Sequence, residues 1–439
     1  MSRIKIIIVG GGAGGLELAT KLGNNLGKNK IAKITLVDCN ASHVWKPLLH
    51  EVASGLINDR VKKLSYLLHA SQHYFNFHLG KLININKLEK KIVLSECYDS
   101  KGRMILSQVE LNYDILVLSI GSISNDFNIP NVKKYCMFLN SFREANSIHK
   151  ELLNLFFSNS NVICNKKEKD KFNIVVVGAG ATGVELCSEI YYAISAFNDY
   201  KLKSLKTKKI NIYLIEASNR ILPSLSINIS ENIHKKLNYL GIKVLTNTLV
   251  TSVDIDGLNI QDGSKIKSSL TIWVAGIKCA DFLKNISGLE TNHINQLIVK
   301  KTLQTTLDDS IFAIGDCASC PMNHNNNEFV PPRAQAAYQM ADLCYRNIIY
   351  FLNKKSLKEY SYKDRGIFIS LSEFSTVGNI LKFLSFNKNL IIEGRLAKTI
   401  YLMLYRIHQI NLHGYLKTIL IMLVSFFYKL IKPKYKLYD

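Results

Sequence analysis

Twice in this chain a run of β-branched residues ends in a glycine-rich turn that opens directly onto a helical pattern. The first is Ile6-Ile7-Ile8-Val9, then Gly10-Gly11-Gly12-Ala13-Gly14-Gly15, with a helical run from Leu16. The second is Ile174-Val175-Val176-Val177, then Gly178-Ala179-Gly180-Ala181-Thr182-Gly183, with a helical run from Val184. Runs that are polar nowhere fit strands covered on both faces, as in a parallel sheet flanked by helices. In a Gly-x-Gly-x-x-Gly turn the first glycine makes the bend and the second lets backbone approach a pyrophosphate. The third lets helix and strand pack closely, with the phosphates on the helix N-terminus. Gly10, Gly12 and Gly15 fill these places once; Gly178, Gly180 and Gly183 fill them again.

Each turn is followed by a second strand that ends in an acid. These are Asp38, after Ile34-Thr35-Leu36-Val37, and Glu216, after Ile212-Tyr213-Leu214-Ile215. A carboxylate there accepts the ribose hydroxyls of an adenosine. Glu216 would also repel a 2′-phosphate, which favours NADH over NADPH. Arg220 could attract such a phosphate, but a structural role suits it better. Two dinucleotide sites in one chain call for a bound FAD and an exchangeable NADH, with hydride passing from nicotinamide to flavin.

At 439 residues the chain is too long for one core and suits two or three domains. Its apolar content of 47% and charged content of 21% exclude a disordered or collagen-like chain. The 56 Lys and Arg against 34 Asp and Glu leave +22, which predicts an anionic partner, nucleic acid or a membrane face. No nucleic-acid module or basic-aromatic motif is present, so nucleic acid is set aside. Nine scattered cysteines point to a reducing compartment. The apolar run after Arg3 and Lys5 is too short for a signal peptide. Ile419 to Phe427, between Lys417 and Lys429, falls far short of the ~18–20 residues a spanning helix needs. The charged run 165–171 reads as a domain boundary, the lysine-rich run 200–209 as a solvated excursion and 323–327 as a surface loop.

The tandem layout resembles the two-dinucleotide-binding flavoproteins, over residues 1 to about 345. In that family a late strand ending Gly-Asp meets the flavin ribitol. Ser310-Ile311-Phe312-Ala313-Ile314-Gly315-Asp316 matches it, with Asp316 in the binding place. Leu116 to Ser122 and Thr271 to Gly276 look like the family's crossover strands. The redox-active cysteine pair of its disulfide reductases is missing from both of its usual places, and Cys317-Ala318-Ser319-Cys320 stands elsewhere. Packing of two small residues explains that pair better than metal binding, so no metal is expected. Sulfide:quinone reductases usually lack a working NADH site, and here the Gly178 and Glu216 set is intact.

His43-Val44-Trp45-Lys46-Pro47-Leu48-Leu49-His50-Glu51-Val52-Ala53-Ser54-Gly55 is similar to the flavin-side segment of the bacterial single-subunit type II NADH:quinone oxidoreductases. A zincin reading of His50-Glu51 fails, because position 54 is Ser where the second His would stand. Val330 to Gln339 matches the family's Ala-Gln-x-x-x-Gln element at Ala334, Gln335 and Gln339. The resemblance implies that the two glutamines sit beside the flavin and the quinone headgroup. Four residues apart, they share a helix face, and amides donate to quinone carbonyls without ionising. Glu185 matches the family's Gly-x-Glu, two residues after Gly183 in the first helical turn. By resemblance it delivers a proton to reduced quinone; favourable placement on the helix dipole explains it equally well. Lys46 and Arg333 are further candidate flavin contacts.

From Arg395 to Gln409 one helix side carries Leu396, Ile400, Met403, Leu404 and Ile407, and the other Arg395, Lys398, Arg406 and Gln409. After Gly414 a more apolar helix runs from Tyr415 to Leu430. Eight Lys and Arg stand against one Asp from Arg395 onward. Such a segment lies in the membrane interface with its cations on anionic headgroups; a buried core or dimer helix is the rival explanation. The resemblance also implies a homodimer. The expected architecture is α/β: two Rossmann-like dinucleotide-binding domains, the FAD domain interrupted by the NADH domain, and a C-terminal membrane-associating region. The expected boundaries are 1–125 and 296–345 for FAD, 126–171 for a linking segment, 172–295 for NADH and 346–439 for the C-terminal domain. The implied activity is a peripheral NADH:quinone oxidoreductase on the cytoplasmic face of the inner membrane. It moves two electrons and pumps no protons, having no chain of intramembrane acids. A soluble FAD-dependent NADH:acceptor reductase leaves the C-terminal helices and the two glutamines without work. A nucleotide-binding membrane module without turnover fits poorly with intact sites.

Overall fold

The computed structural model describes residues 3–56, 63–99, 101–160, 172–199, 210–322, 328–372, 374–380 and 390–431. The runs 165–171 and 200–209, the loop 323–327 and the lysines Lys432, Lys434 and Lys436 lie outside the described residues. In chain order the elements that position the sites begin with β1 (Ile4–Val9), α1 (Ala13–Leu22), β2 (Ala32–Asp38), α2 (Leu49–Ala53), β3 (Asn76–Leu79) and β4 (Ile115–Leu118). Then come β5 (Met137–Phe138), α3 (Phe142–Ser160), β6 (Phe172–Val177), α4 (Ala181–Asp199), β7 (Ile210–Ile215), β8 (Lys243–Leu245) and β9 (Leu270–Trp273). The last are β10 (Ile311–Ala313), α5 (Ala334–Leu352), β11 (Ile367–Leu371), β12 (Ser375–Ile380), β13 (Leu390–Glu393) and α6 (Arg395–Ile431).

Two compact units emerge. The first comprises 1–45, 62–123 and 277–364. Its parallel sheet has the order β10-β4-β1-β2-β3, with the strand before the first glycine turn at its centre. Ile6 and Ile8 of β1 and all of β4 are buried, as strands covered on both faces must be. The chain leaves β1 toward β2 on one side and returns as β4 on the other. Strand order therefore reverses at the glycine turn, where open α/β sheets bind ligands. Lys21 of α1 ties that helix to α5 by pairing with Glu17 at 2.8 Å and Asp342 at 3.0 Å.

The second unit comprises 46–61, 124–276 and 365–439. Its parallel sheet, β5-β9-β6-β7-β8, repeats the plan with β6 at the centre. Trp273 is buried there among Val175, Val177, Ile215 and Leu258, and its Nε1 donates to Asn125 O at 2.8 Å. An antiparallel sheet, β11-β12-β13, carries α6.

These units cut the chain differently from the expected boundaries. The stretch 126–171 supplies β5 to the second sheet and α3 against α2, so its described part is no mere linker. Residues 346–364 stay with the first unit. Asn347 inside α5 donates to Thr302 O and Lys358 O and accepts from Lys358 N, which holds the chain beyond the helix in place.

On α6 the apolar residues Leu396, Met403 and Ile407 are exposed, the disposition expected of an interfacial helix, while Ala397, His408, Gln409 and Leu412 are buried. Polar His408 and Gln409 turn inward and the greasy side turns out. The expected lack of a long enough apolar segment is corrected too: Tyr405–Phe427 is long and apolar enough to cross a membrane, with mean hydropathy 1.5. Gly414, however, has φ 75° and ψ 172°, which breaks the helix inside that stretch. The 17 residues from Tyr415 to Ile431 reach roughly 26 Å, short of the ~30 Å hydrocarbon core.

Candidate active site

The first glycine turn is built by steric necessity. Gly10 has φ +103°, a conformation L side chains rarely adopt. A Cβ on Gly15 would stand 1.9 Å from Gly10 O, so helix and strand meet only through glycine. At Gly12 a Cβ would meet nothing within 4 Å; the space above it is where a pyrophosphate would lie. Asp38 is fastened to the turn, with Oδ2 accepting from Gly11 N at 2.6 Å and Oδ1 from Asn40 N at 2.8 Å. Two residues that sequence reasoning gave no role brace the other side of Gly11. Tyr66 OH donates to Gly11 O at 2.7 Å, and His43 Nδ1 lies 2.9 Å from the same oxygen. Burial, with Asp38 nearby, raises the Tyr66 hydroxyl well above its usual range and keeps it a donor. No local pattern marks Tyr66, which reaches Gly11 across 55 residues.

The second turn repeats this construction. Gly178 has φ +105°, a Cβ on Gly183 would stand 1.9 Å from Gly178 O, and Gly180 opens onto space. Glu216 accepts from Ala179 N at 2.8 Å and from Ser218 N at 2.9 Å. In both units a carboxylate with about four acceptor positions spends two on backbone amides. The remaining positions suit a ribose diol, and the two cradles fit a dinucleotide each. Arg220 is occupied elsewhere: its guanidinium donates to Leu222 O, Pro223 O and Leu225 O and closes its own loop.

Asp316 follows β10 and accepts from Ser122 Oγ at 2.7 Å, so the late Gly-Asp strand ends beside the strand that returns as β4. Arg333 stands at the N-cap position of α5, which starts at Ala334, without a capping bond from its side chain. Gln335 Nε2 donates to Asp364 Oδ1 at 3.1 Å, and Arg333 Nη1 lies 3.3 Å from Asp364 Oδ2. Gln339 clasps the neighbouring backbone, donating to Lys363 O at 2.8 Å and accepting from Lys363 N at 2.9 Å. The two glutamines share a helix face, and one strap, 363–364, holds both. Lys46 sits exposed in a short turn of the second unit.

Glu185 differs from expectation in its place on the helix. α4 begins at Ala181, which puts Glu185 beyond the first turn and buried rather than at the dipole's end. Its Oε1 accepts from Ser370 N at 3.0 Å, and its Oε2 lies 3.6 Å from His50 Nδ1. One turn on, Glu189 Oε2 accepts from Ser372 Oγ at 2.9 Å. Burial above all, with Glu189 and Glu51 adding repulsion against the Ser370 amide, pushes Glu185 up to about 8. At neutral pH it holds its proton.

The thiols are of another kind. Cys317 and Cys320 are buried, and burial raises both, Cys320 to about 12. Both therefore rest as thiols rather than as reactive thiolates. Among the described residues no group of three or more His, Cys, Asp or Glu is placed to hold a metal ion.

Residues 4–341 match the pyridine nucleotide-disulphide oxidoreductase family model. A protein of Haemophilus influenzae named type II NADH:quinone oxidoreductase is 44% identical, over 99% of both chains. A Staphylococcus aureus protein of the same name is 26% identical over 86% of this chain and 90% of that one. The solved structure of NDH2 from Plasmodium falciparum in complex with NADH shares the fold, with a TM-score of 0.82 at 22% identity and full coverage of both chains. The sulfide:quinone oxidoreductase of Aquifex aeolicus is less similar, at 0.72 and 15%, covering 94% and 92%. On this family match and full-length identity, the chain belongs to the pyridine nucleotide-disulphide oxidoreductases and, within them, to the type II NADH:quinone oxidoreductases.

Proposed function

We propose that the protein catalyses NADH + H+ + quinone → NAD+ + quinol on a membrane surface, without pumping protons. The observation that carries this is the duplicated cradle, with Asp38 and Glu216 each pinned by two backbone amides and each turned toward an open glycine. The first cradle takes FAD through Gly10, Gly12, Gly15, Asp38 and Asp316, with Lys46, Ala334 and Gln335 as further contacts. The second takes NADH through Gly178, Gly180, Gly183 and Glu216. FAD, when bound, supplies the redox group that takes hydride from NADH and hands two electrons to quinone.

The chain's own residues bind, orient and manage the proton. Gln335 and Gln339 offer amide N–H groups to the quinone, held in aim by the 363–364 strap. Glu185, protonated at neutral pH, gives its proton as quinol forms. The exposed apolar side of α6 and the C-terminal lysines seat the enzyme on anionic lipid at the cytoplasmic face of the inner membrane, and a second copy completes a homodimer.

Anaerobic stopped-flow absorbance of the FAD-loaded protein tests this reading. NADH, and not NADPH, is expected to bleach the oxidised-flavin band, and a ubiquinone analogue to restore it. Bleaching without restoration would remove the quinone half; no bleaching would remove the reading altogether.

A further inference from the structure

Each turnover takes up one proton from solution, because the quinol gains two while NADH brings one with its hydride. Glu185 is only 7% exposed, so a proton it gives up has to be replaced inside the protein. Several titratable groups face it. From its own helix comes Glu189, bonded to Ser372 Oγ. From α2 come His50, 3.6 Å away, and the half-buried Glu51. β11 contributes the Ser370 amide. α6 contributes Tyr401, whose hydroxyl is raised by burial and by Glu185, Glu51 and Glu189, and Tyr405, which lies in the field of Glu51. α3, packed on α2, brings His149, whose ring lies against Gly55 just past the end of α2.

Among these, His50 stands apart by geometry. The Ser370 N–H holds Oε1 of Glu185 and only donates, so the carboxyl proton belongs on Oε2. Oε2 is the oxygen that faces His50 Nδ1. A gap of 3.6 Å closes by a small side-chain movement or through one water, as catalytic contacts commonly do on binding. The remaining neighbours suit the relay less: Tyr401 stays protonated, and Glu189 is engaged by Ser372. Imidazole is the side chain that exchanges protons near neutral pH.

We propose that His50 is a positioning residue that acts through Glu185 and returns a proton to it after each quinol is formed. This rests on the assignment of Glu185 to that step. Glu185 Oε2–H gives its proton to a quinone oxygen and becomes a carboxylate. Imidazolium Nδ1–H then gives its proton to Oε2, leaving neutral imidazole; His50 is itself only 3% exposed, so it regains a proton through water admitted to the site. One proton moves at each stage, and no electrons move through His50.

The test uses full-length, FAD-loaded enzyme with His50→Ala and His50→Gln, each checked for flavin content and melting temperature. Steady-state turnover with NADH and a ubiquinone analogue is followed from about pH 6 to 9, because the first quinol draws on the proton Glu185 already holds and only later cycles need its return. Loss of a proton-transfer partner is expected to slow turnover about a hundredfold, more as pH rises. Imidazole in the buffer should restore the rate in His50→Ala but not in His50→Gln. Rates that run parallel to the wild type across pH, or a loss that imidazole leaves untouched, would overturn the proposal. A second readout needs no turnover. Infrared difference spectra of resting enzyme should show a protonated carboxyl band, absent from Glu185→Gln, whose titration midpoint shifts in His50→Gln. An unshifted midpoint sinks the coupling. Wild-type enzyme that NADH reduces but quinone does not reoxidise would instead overturn the quinone reading, with the infrared midpoint still deciding whether His50 and Glu185 share a proton.

Discussion

Asp38 and Glu216 are held by the same pair of hydrogen bonds in two different units, one from the glycine turn and one from two residues downstream. Glu216→Ser should therefore lose both the ribose contacts and the brace on the turn. Hydrogen bonds to charged groups contribute ~1.5–3 kcal/mol, so KM for NADH should rise about ten- to hundredfold. NADPH should gain little, because Arg220 is bound to three carbonyls of its own loop; steady-state kinetics with both cofactors check this. Glu185 sets a second expectation. Its pKa is raised from 4.5 to about 8, so the folded state holds the proton more tightly than the unfolded chain does. Its stabilising contribution is fully present below the unfolded value and is lost as pH rises through the folded one. Glu185→Gln should thus gain stability relative to the wild type as pH goes from 5 to 8, read from melting temperatures in the absence of NADH. The carboxylates and the glutamines were legible in the chain, because each stands at a fixed offset from a glycine turn or from its pair. The partners Tyr66, Asp364 and Ser370 were not, since nothing local marks a residue whose role begins only after distant strands pair.

Among elements, the two strand–turn–helix units were the most legible. β-Branched runs and glycines act through local sterics, and β1 and β6 lie where those runs stand. The glycines within one turn should nonetheless separate by experiment. Gly180→Ala places a methyl in open space, so stability should change by no more than about 1 kcal/mol at that helix cap, while NADH binding weakens tenfold or more. Gly183→Ala drives a methyl into the Gly178 carbonyl and should cost about 1–3 kcal/mol of stability as an overpacked contact. Paired thermal melts and NADH titrations check both. α6 was less legible. Its apolar periodicity was plain, but periodicity finds a stripe and is silent about which side faces protein. Packing in the folded chain, where α6 lies on the antiparallel sheet, decided that Ala397, His408 and Leu412 are buried.

For the molecule as a whole, the exposed end of α6 is where the proposed membrane contact is open to test. From Tyr415 to Phe427 only Thr418 is buried. A chain ending at Gly414 should keep its fold and its reduction of a short-chain quinone, yet sediment poorly with anionic vesicles and turn over membrane quinone slowly. Vesicle co-sedimentation and activity on native membranes measure this. The chain by itself determined two parallel α/β units, each with a dinucleotide cradle and its acid, along with the pairing of glutamines and a greasy basic end. Those features rest on stereochemistry and spacing within a few residues. Tertiary structure alone decided where the compact units divide, which side of α6 faces out and which carboxylate keeps its proton. Burial and long-range contact set these properties: Glu185 is held by an amide 185 residues away, and only the folded chain removes it from water.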